Sequence, residues 1–152
     1  MHVRQAQAQD VDAIAPLFDA YRQFYRQNPA PDLARSYLQD RLAKGESIIF
    51  LAEAEDTAVG FTQLYPTFCS VQAAPYFVLY DLFVIPELRG SGVGEQLMNR
   101  ARDFARAEGA VRLDLETAID NVRAQGLYEK LGYERDTVFY KYSLALTEDT
   151  QA

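Results

Sequence analysis

A short glycine-rich stretch in the second half of the chain constrains its fold most strongly. Gly90, Gly92 and Gly94 occur at every second position, separated by four residues from an apolar run at residues 78–85 and placed at the start of a helix-patterned stretch at residues 93–108. A strand that leads through glycines into a helix favours phosphate binding, because glycines let backbone N–H groups point at the anion and the helix N-terminus attracts negative charge. An ordinary tight turn is the plainer alternative, but three glycines beside an arginine exceed what such a turn needs.

The spacing of these residues excludes two common phosphate-binding motifs. The dinucleotide-binding motif requires a glycine where this chain has Glu95, and a P-loop ends in Gly-Lys-Ser/Thr, whereas Glu95 and Gln96 follow Gly94 here. The chain also lacks, near residue 1, the glycine-rich strand-turn-helix with which a Rossmann unit opens. The spacing that does fit is Arg/Gln-x-x-Gly-x-Gly, formed by Arg89, Gly92 and Gly94.

This spacing resembles the cofactor signature of the GNAT superfamily of acetyl-CoA-dependent N-acetyltransferases. Residues 82–90 resemble the family's central strand and pyrophosphate loop, and residues 121–133 resemble its fourth-helix motif. The first strand and helix are also similar, and residues 65–76 are the least typical. The resemblance implies an α/β fold, a mixed sheet with helices on both faces, in which two central strands splay apart to form a slot for the pantetheine arm.

The hydrophobic pattern by itself predicts a mixed sheet flanked by helices, since antiparallel hairpins precede a β-α-β unit. One domain is expected over residues 1–146, with a polar tail at 147–152. Residues 66–75 are predicted to form a loop, and residues 133–134 and 137–145 a closing pair of strands. The other predicted strands are 2–6, 47–53, 58–65, 76–85 and 111–117, and the predicted helices are 10–25, 32–44, 93–108 and 121–131.

Composition excludes several functional classes. The net charge of −7 argues against nucleic-acid binding and fits a cationic substrate, although it also serves solubility. No apolar stretch reaches about 18 residues, so no membrane span is predicted. The single cysteine, Cys69, excludes an internal disulfide and fits a cytoplasmic location, and with His2 as the only histidine a metal site is not expected. Any general base is therefore a carboxylate, a water molecule or a tyrosine.

Acetyl transfer from a thioester to an amine makes three demands. The amine must lose its proton, since a free alkylammonium has a pKa near ~10.4. The carbonyl oxygen needs a hydrogen-bond donor, and the leaving thiolate needs a proton. In the family that this chain resembles, a tyrosine protonates the departing sulfur and an asparagine contacts the cofactor nearby. Tyr128 and Asn121 match these residues and lie two helical turns apart, although an ordinary core tyrosine is the alternative.

The resemblance also places the acetyl-CoA contacts. The thioester carbonyl is expected beside the central strand, where the backbone N–H of Phe83 or Val84 is the candidate oxyanion donor. The diphosphate is expected at the N–H groups of the glycine stretch, where Arg89 either contacts phosphate or supports the turn and the Glu95 side chain points away. The expected cofactor-binding residues are Leu82, Phe83, Val84, Arg89, Gly90, Ser91, Gly92, Val93, Gly94, Glu95 and Asn121.

The general base stays open between Asp81, Glu116 and an ordered water. Glu116 ends the strand after the glycine-turn helix, and in some family members a glutamate at this spacing accepts the amine proton. Asp81 lies on the central strand and is predicted to share its face with Phe83, opposite Tyr80. For either carboxylate, a solvated charge at a strand edge is the alternative.

The expected acceptor is a small primary amine. The Leu64-Tyr65-Pro66 run, followed by a strand that carries Asp81, resembles diamine and polyamine acetyltransferases and a branch named for histone, polyamine and D-amino-acid acetylation. Polyamine acetylases carry an acidic residue where this chain has Tyr80, which weakens the transfer of their mechanism. Tyr25, Tyr65 and Tyr80 are candidates for holding an ammonium group by cation–π contact, with half-buried core residues as the alternative.

Other functions stay open at this stage. A protein N-terminus or lysine side chain is the second candidate acceptor, and a non-catalytic acyl-CoA-binding module would keep the glycine stretch without needing Tyr128. The aromatic alternation of residues 139–142 in the predicted closing strand suggests a homodimer.

Overall fold

The structure is a computed structural model that describes residues 1–148. The chain divides into two compact units, Met1–Glu116 and Thr117–Ala152. Residues 149–152 of the predicted polar tail lie outside the described residues.

The first unit contains a five-stranded sheet with the strand order β1-β2-β3-β4-β5. Neighbouring strands from β1 to β4 are antiparallel, and β5 is parallel to β4. This confirms the predicted mixed sheet. The elements are β1 His2–Gln5, α1 Val11–Phe24, α2 Pro31–Ala43, β2 Ile48–Ala54, β3 Thr57–Cys69, β4 Ala74–Val84, α3 Val93–Ala107 and β5 Leu113–Asp114.

Aromatic side chains fill the space on both faces of this sheet. Phe18 of α1 packs against Phe61 of β3, with ring centroids 6.2 Å apart. On the other face, the Phe104 ring of α3 contacts Phe50 and Phe77, at 5.5 and 5.6 Å. Each such buried ring contributes roughly 1.5–3 kcal/mol of hydrophobic stabilisation. The helices are therefore held against opposite faces of the sheet, as the sequence predicted.

A β-bulge interrupts the pairing of β3 with β4. Gln63 pairs with Asp81, whereas the next residue of β3, Leu64, pairs with Leu79, so Tyr80 is an extra residue on β4. A bulge of this kind bends its strand and changes the direction in which the following side chains point. The second half of β4 is thereby rotated relative to the first half.

The bulge corrects the predicted placement of Tyr80. Phe77 contacts α3 before the bulge, whereas Phe83 after it belongs to the core beneath α1. Asp81 shares the Phe83 face, as predicted. The Tyr80 ring, however, lies 5.6 Å from Tyr65, on the same side as Asp81 and not on the opposite one. Strict alternation fails here because the bulge inserts a residue.

The β3–β4 hairpin is longer than predicted. Residues 66–69 and 74–75 were expected in a loop, but they continue the ladder up to a turn at residues 70–73. Pro66 is tolerated because β2 pairs with β3 only as far as Leu64, so the proline lies where one edge of β3 has no strand partner among residues 1–148. The loop prediction was wrong because only the strand order reveals that free edge.

The second unit contains helix α4, Val122–Lys130. Asn121 caps it, since its side-chain oxygen accepts a hydrogen bond from the Ala124 N–H at 3.3 Å, and Gly132 follows the helix with φ of +93°. Both features were predicted.

Residues 133–148 contain neither helix nor strand. The predicted closing pair at 133–134 and 137–145 is therefore wrong. An alternating apolar pattern forms a strand only when a partner supplies the backbone hydrogen bonds, and here the side chains of Phe139, Tyr140 and Tyr142 stay exposed. The alternation that suggested a homodimer lies in this segment.

Within residues 1–148, no helix combines the length and the apolar character needed to cross a membrane.

Candidate active site

The end of β4 has an open edge beside the glycine stretch. A strand was predicted over residues 111–117, but β5 is only Leu113–Asp114 and pairs with Phe77 and Val78. Residues 79–84 of β4 therefore have no strand on that side within the described part of the chain. The family resemblance predicts a slot between splayed strands, and this open edge of β4 is where such a slot is expected.

The ladder determines which amide groups face this open edge. The Ile85 N–H donates to the Val59 carbonyl at 2.9 Å, and hydrogen-bonded pairs alternate along an antiparallel ladder. The amide of Phe83, two residues earlier, is thus directed at β3. The amides of Leu82 and Val84 point to the open edge. Of the two candidate oxyanion donors, Val84 has the suitable direction.

The glycine turn connects the open edge to α3. Gly90 and Gly92 have φ angles of +81° and +93°, a region in which a residue with a Cβ is strained. The first hydrogen bond of α3 runs from the Gln96 N–H to the Gly92 carbonyl at 3.1 Å, so the N–H groups of Val93 and Gly94 precede it. A Cβ on Gly92 would meet no atom within 4 Å. The turn thus offers donors and open space.

Arg89 supports this turn. Its Nε donates to the Val84 carbonyl at 2.9 Å, and its guanidinium lies 5.4 Å from the centre of the Phe83 ring. The Ser91 hydroxyl donates to the Leu88 carbonyl within the same turn. These contacts are of the supporting kind, and a contact of Arg89 with phosphate stays a prediction.

Asp81 is buried at the bulge in a chain of polar side chains. It is only 2% exposed, and its carboxylate accepts a hydrogen bond from Gln63 Nε2. Gln63 Oε1 in turn accepts a hydrogen bond from the Ser47 hydroxyl at 2.6 Å. Burial raises the pKa of Asp81 to about 6, although hydrogen bonds from Gln63 and Tyr21 oppose that rise. A carboxylate that titrates close to neutral pH has the property required of a general base.

Four tyrosines surround this carboxylate. The Tyr21 hydroxyl donates to the Tyr80 carbonyl at 3.1 Å, and burial, followed by the charge of Asp81, raises the pKa of Tyr21. The Tyr25 ring lies 5.1 Å from Tyr21, and Tyr65 lies next to Tyr80. The structure therefore brings together the predicted acceptor residues Tyr25, Tyr65 and Tyr80 around Asp81.

Sequence reasoning missed Gln63 and Ser47. Both are buried polar residues, Gln63 with no exposed surface and Ser47 at 4%. The available signal was Gln63 itself, a glutamine inside an otherwise apolar strand run, because a buried amide must have hydrogen-bond partners. Its partner Asp81 is 18 positions away, and only the sheet register shows that they meet.

Four predicted site residues remain, namely Glu95, Glu116, Asn121 and Tyr128. Glu116 is exposed and follows β5, and Glu95 lies in the first turn of α3. Asn121 and Tyr128 belong to the second unit, where the Tyr128 ring is 6.1 Å from Tyr133. Across residues 1–148, no three His, Cys, Asp or Glu side chains converge as a metal ion would require.

Comparison with known proteins identifies the family. A profile described as the acetyltransferase (GNAT) family matches residues 14–133. The chain belongs to this family. The acetyltransferase is 47% identical over 144 residues to the uncharacterized N-acetyltransferase YhfO of Bacillus subtilis (strain 168), covering 95% of this chain and 97% of YhfO.

Two further comparisons agree. The acetyltransferase is 33% identical over 119 residues to a probable acetyltransferase of Haemophilus influenzae, covering 78% of this chain and 82% of that relative. A crystal structure of another probable acetyltransferase matches with a TM-score of 0.93 at 38% identity, covering 98% of this chain and all of that one. These findings confirm the predicted fold and the acetyl-CoA-dependent N-acetyltransferase activity.

The acetyl-CoA used by this family fits the glycine turn of this acetyltransferase. The early amides of α3 and the positive end of its helix dipole suit a diphosphate, and the open space at Gly92 leaves room for it. The amides of Leu82 and Val84 suit the acyl end, which in this family supplies the thioester.

Replacing Gly92 by alanine should weaken acetyl-CoA binding at least about 10-fold, or about 1.4 kcal/mol. The φ angle of +93° strains any residue with a Cβ, so the turn that leads into the α3 amides should be distorted, and the added methyl group would occupy open space beside the turn. Isothermal titration with acetyl-CoA measures the change in Kd.

Gly109→Ala is the matched control. Gly109 follows the other end of α3, has φ of +78° and also has no atom within 4 Å of a Cβ. This variant should lose comparable stability in thermal unfolding while binding acetyl-CoA as wild type does. Equal Kd values for the two variants would contradict a role for the glycine turn in binding.

Proposed function

We propose that this acetyltransferase transfers an acetyl group from acetyl-CoA directly to the primary amine of a small molecule, with Asp81 as the general base. The observation that carries this proposal is the Asp81 carboxylate itself. It is buried, with a pKa raised to about 6, within a group of tyrosines and next to the open edge of β4.

Asp81 meets the first requirement of the reaction, removal of the amine proton. A primary amine arrives as an ammonium ion, because its pKa is near ~10.4. Above about pH 6 the Asp81 carboxylate is ionised and attracts this cation. The faces of Tyr25, Tyr65 and Tyr80 stabilise the same charge through cation–π contact. Base and binding site are therefore provided by one cluster.

The backbone of β4 and α3 meets the second requirement. The Val84 N–H stabilises negative charge as it develops on the thioester oxygen, since a fixed donor pays no reorganisation at that moment. The Val93 and Gly94 N–H groups bind the diphosphate. Direct attack by the amine needs no protein nucleophile. The single cysteine, Cys69, lies at the end of β3 and has no role in this step.

Tyr128 provides the proton for the departing thiolate in this proposal, with Asn121 contacting the cofactor. These two roles rest on the family motif that residues 121–133 resemble. Asp81 is preferred to Glu116 as the base because burial has already raised the pKa of Asp81 towards neutrality, whereas Glu116 is exposed.

A panel of amines with acetyl-CoA tests the proposal through release of free thiol. Polyamines, amino acids of both hands and short peptides separate the acceptor classes. We expect at least one small primary amine to be acetylated with a higher kcat/KM than any peptide. Preference for peptide N-termini or for lysine side chains in peptides would show that the acceptor is a protein, and the small-molecule proposal would be wrong.

A further inference from the structure

A cavity of about 280 Å³ lies between helices α1 and α2. Its walls are Phe18 and Arg22 of α1 and Leu33 and Tyr37 of α2. Three of these four side chains are apolar or aromatic, and Arg22 contributes the only charge. Since a water molecule takes up about 30 Å³ in the liquid, the volume suits one small organic molecule or part of one.

Arg22 has an unusual position in this wall. Its Nη1 atom is buried and has no hydrogen-bond partner among the described residues. A buried guanidinium N–H without an acceptor is unfavourable, and such groups are rare in folded proteins. The nearest acid on the same helix is occupied, because Asp19 accepts hydrogen bonds from the Ala30 N–H and from Gln23 Nε2.

Five other arginines of the first unit each form an ion pair with a carboxylate, namely Arg4, Arg35, Arg41, Arg102 and Arg112. Arg22 instead lines a cavity, and its Nη1 atom has no hydrogen-bond partner among the described residues. A planar guanidinium binds a carboxylate through two parallel hydrogen bonds, so an anion of that shape is its natural complement.

The cavity adjoins the tyrosines around Asp81. The Tyr37 hydroxyl in its wall lies 2.7 Å from the Tyr65 hydroxyl, and Tyr65 packs beside Tyr80. Arg22 directly follows Tyr21, whose hydroxyl binds the Tyr80 carbonyl. The cavity and the proposed acceptor site are thus parts of one aromatic layer on the α1–α2 face of the sheet.

We propose that the α1–α2 cavity binds a carboxylate of the acceptor through Arg22, so that the acceptors are small amines that also carry a carboxylate, as amino acids do. This inference rests on the proposed function, because it names the acceptor class for the same site. The protein carries a net charge of −7, which disfavours anions in general. A carboxylate-bearing acceptor therefore needs a local cation, and Arg22 is that cation.

Matched acceptors test this inference. L-Lysine and cadaverine differ only by the carboxylate, as do L-phenylalanine and phenethylamine. We expect wild type to prefer the carboxylate-bearing member of a pair. Arg22→Met should lower kcat/KM for that member by about 10- to 100-fold, mainly through KM, and leave the carboxylate-free member nearly unchanged. Arg22→Lys should recover part of the loss, because it restores the charge without the two parallel hydrogen bonds.

Methionine retains the apolar stem of the arginine, so the wall of the cavity is kept. Arg26→Met is the control, since it removes an exposed arginine just after the same helix and should change neither member of a pair. An equal loss on both members of a pair would show that Arg22 serves the fold or every acceptor, and would overturn the inference. If wild type acetylates both members of each pair with equal kcat/KM, the inference about Arg22 is overturned too, while the proposed function stands.

If none of the four amines is acetylated, measuring whether they bind separates the proposed function from the proposed carboxylate site at Arg22. Isothermal titration of wild type and Arg22→Met with L-phenylalanine and L-lysine then decides. Binding that disappears in Arg22→Met would support the carboxylate site while the proposed function fails. Absence of binding to wild type would overturn the inference as well.

Discussion

Replacing Asp81 by asparagine should lower kcat/KM for the amine acceptor by about 10²- to 10⁴-fold, the usual contribution of a general base. Asparagine has the same shape, and its carbonyl oxygen can still accept the hydrogen bond from Gln63 Nε2. The substitution therefore removes the ability to accept a proton while keeping the packing. Steady-state kinetics with saturating acetyl-CoA measure the loss.

The pH profile tests whether the reaction needs the ionised Asp81 carboxylate. The pKa of Asp81 is raised to about 6, so the wild-type carboxylate is protonated below that pH and cannot accept a proton. Wild-type kcat/KM should therefore bend downwards as pH falls through about 6, in addition to the slope caused by the amine. Asp81→Asn should keep the slope of the amine and lose the bend.

The Asp81→Asn substitution should raise the stability of the folded protein although it lowers the activity. The pKa of Asp81 is about 6 in the folded protein, above the ordinary value of 3.8, so the folded state releases this proton at a higher pH than the unfolded chain. The ionised side chain thus destabilises the fold at and above neutral pH. In thermal unfolding, Asp81→Asn should melt higher than wild type at about pH 8, and the difference should vanish in acid where both states are protonated.

Glu116→Gln is the control for the alternative base. If Asp81 is the base, this variant should retain most of the wild-type activity and the bend near pH 6. A large loss with Glu116→Gln and full activity with Asp81→Asn would reverse the assignment of the two carboxylates.

Replacing Tyr128 by phenylalanine should lower kcat by about 10²-fold or more, because the departing thiolate would lose its proton donor. The ring remains, so the packing beside Tyr133 is retained. The Kd for acetyl-CoA should change little, since the phenol acts only when the sulfur departs. Kinetics and titration with acetyl-CoA together separate turnover from binding.

Tyr133→Phe removes the neighbouring phenol of the same unit and serves as the control. We expect this variant to keep most of the wild-type kcat. A Tyr128→Phe variant as active as wild type would show that Tyr128 is a structural residue of α4 and that another group or water protonates the thiolate.

Features that depend only on residues close together in the chain could be predicted from the sequence. The glycine turn follows from Gly90 and Gly92, which alone adopt its positive φ angles without strain, and the cap of α4 follows from Asn121. Each of these depends on residues within a few positions of one another. The same locality explains why the sequence was sufficient to indicate acetyl-CoA binding and the family.

The closing strand pair and the proline in β3 show where such reasoning fails. The alternating pattern of residues 137–145 indicated a strand, but strand formation depends on a partner that the pattern does not name. Pro66 indicated a loop, but a strand edge without a partner accepts a proline. In both cases the deciding quantity is the pairing between distant segments.

By itself, then, the sequence determined the glycine turn, the helix α3 that follows it and the Asn121 cap of α4. It also determined the acetyltransferase family to which the chain belongs. Only the tertiary structure decided that Tyr80 is the extra residue of a β-bulge and that Ser47, Gln63 and Asp81 form one chain of hydrogen bonds. Only the tertiary structure decided, too, that burial raises the pKa of this carboxylate to about 6. The physical reason is that register and desolvation arise between segments far apart in the chain. A local pattern carries no information about either of them.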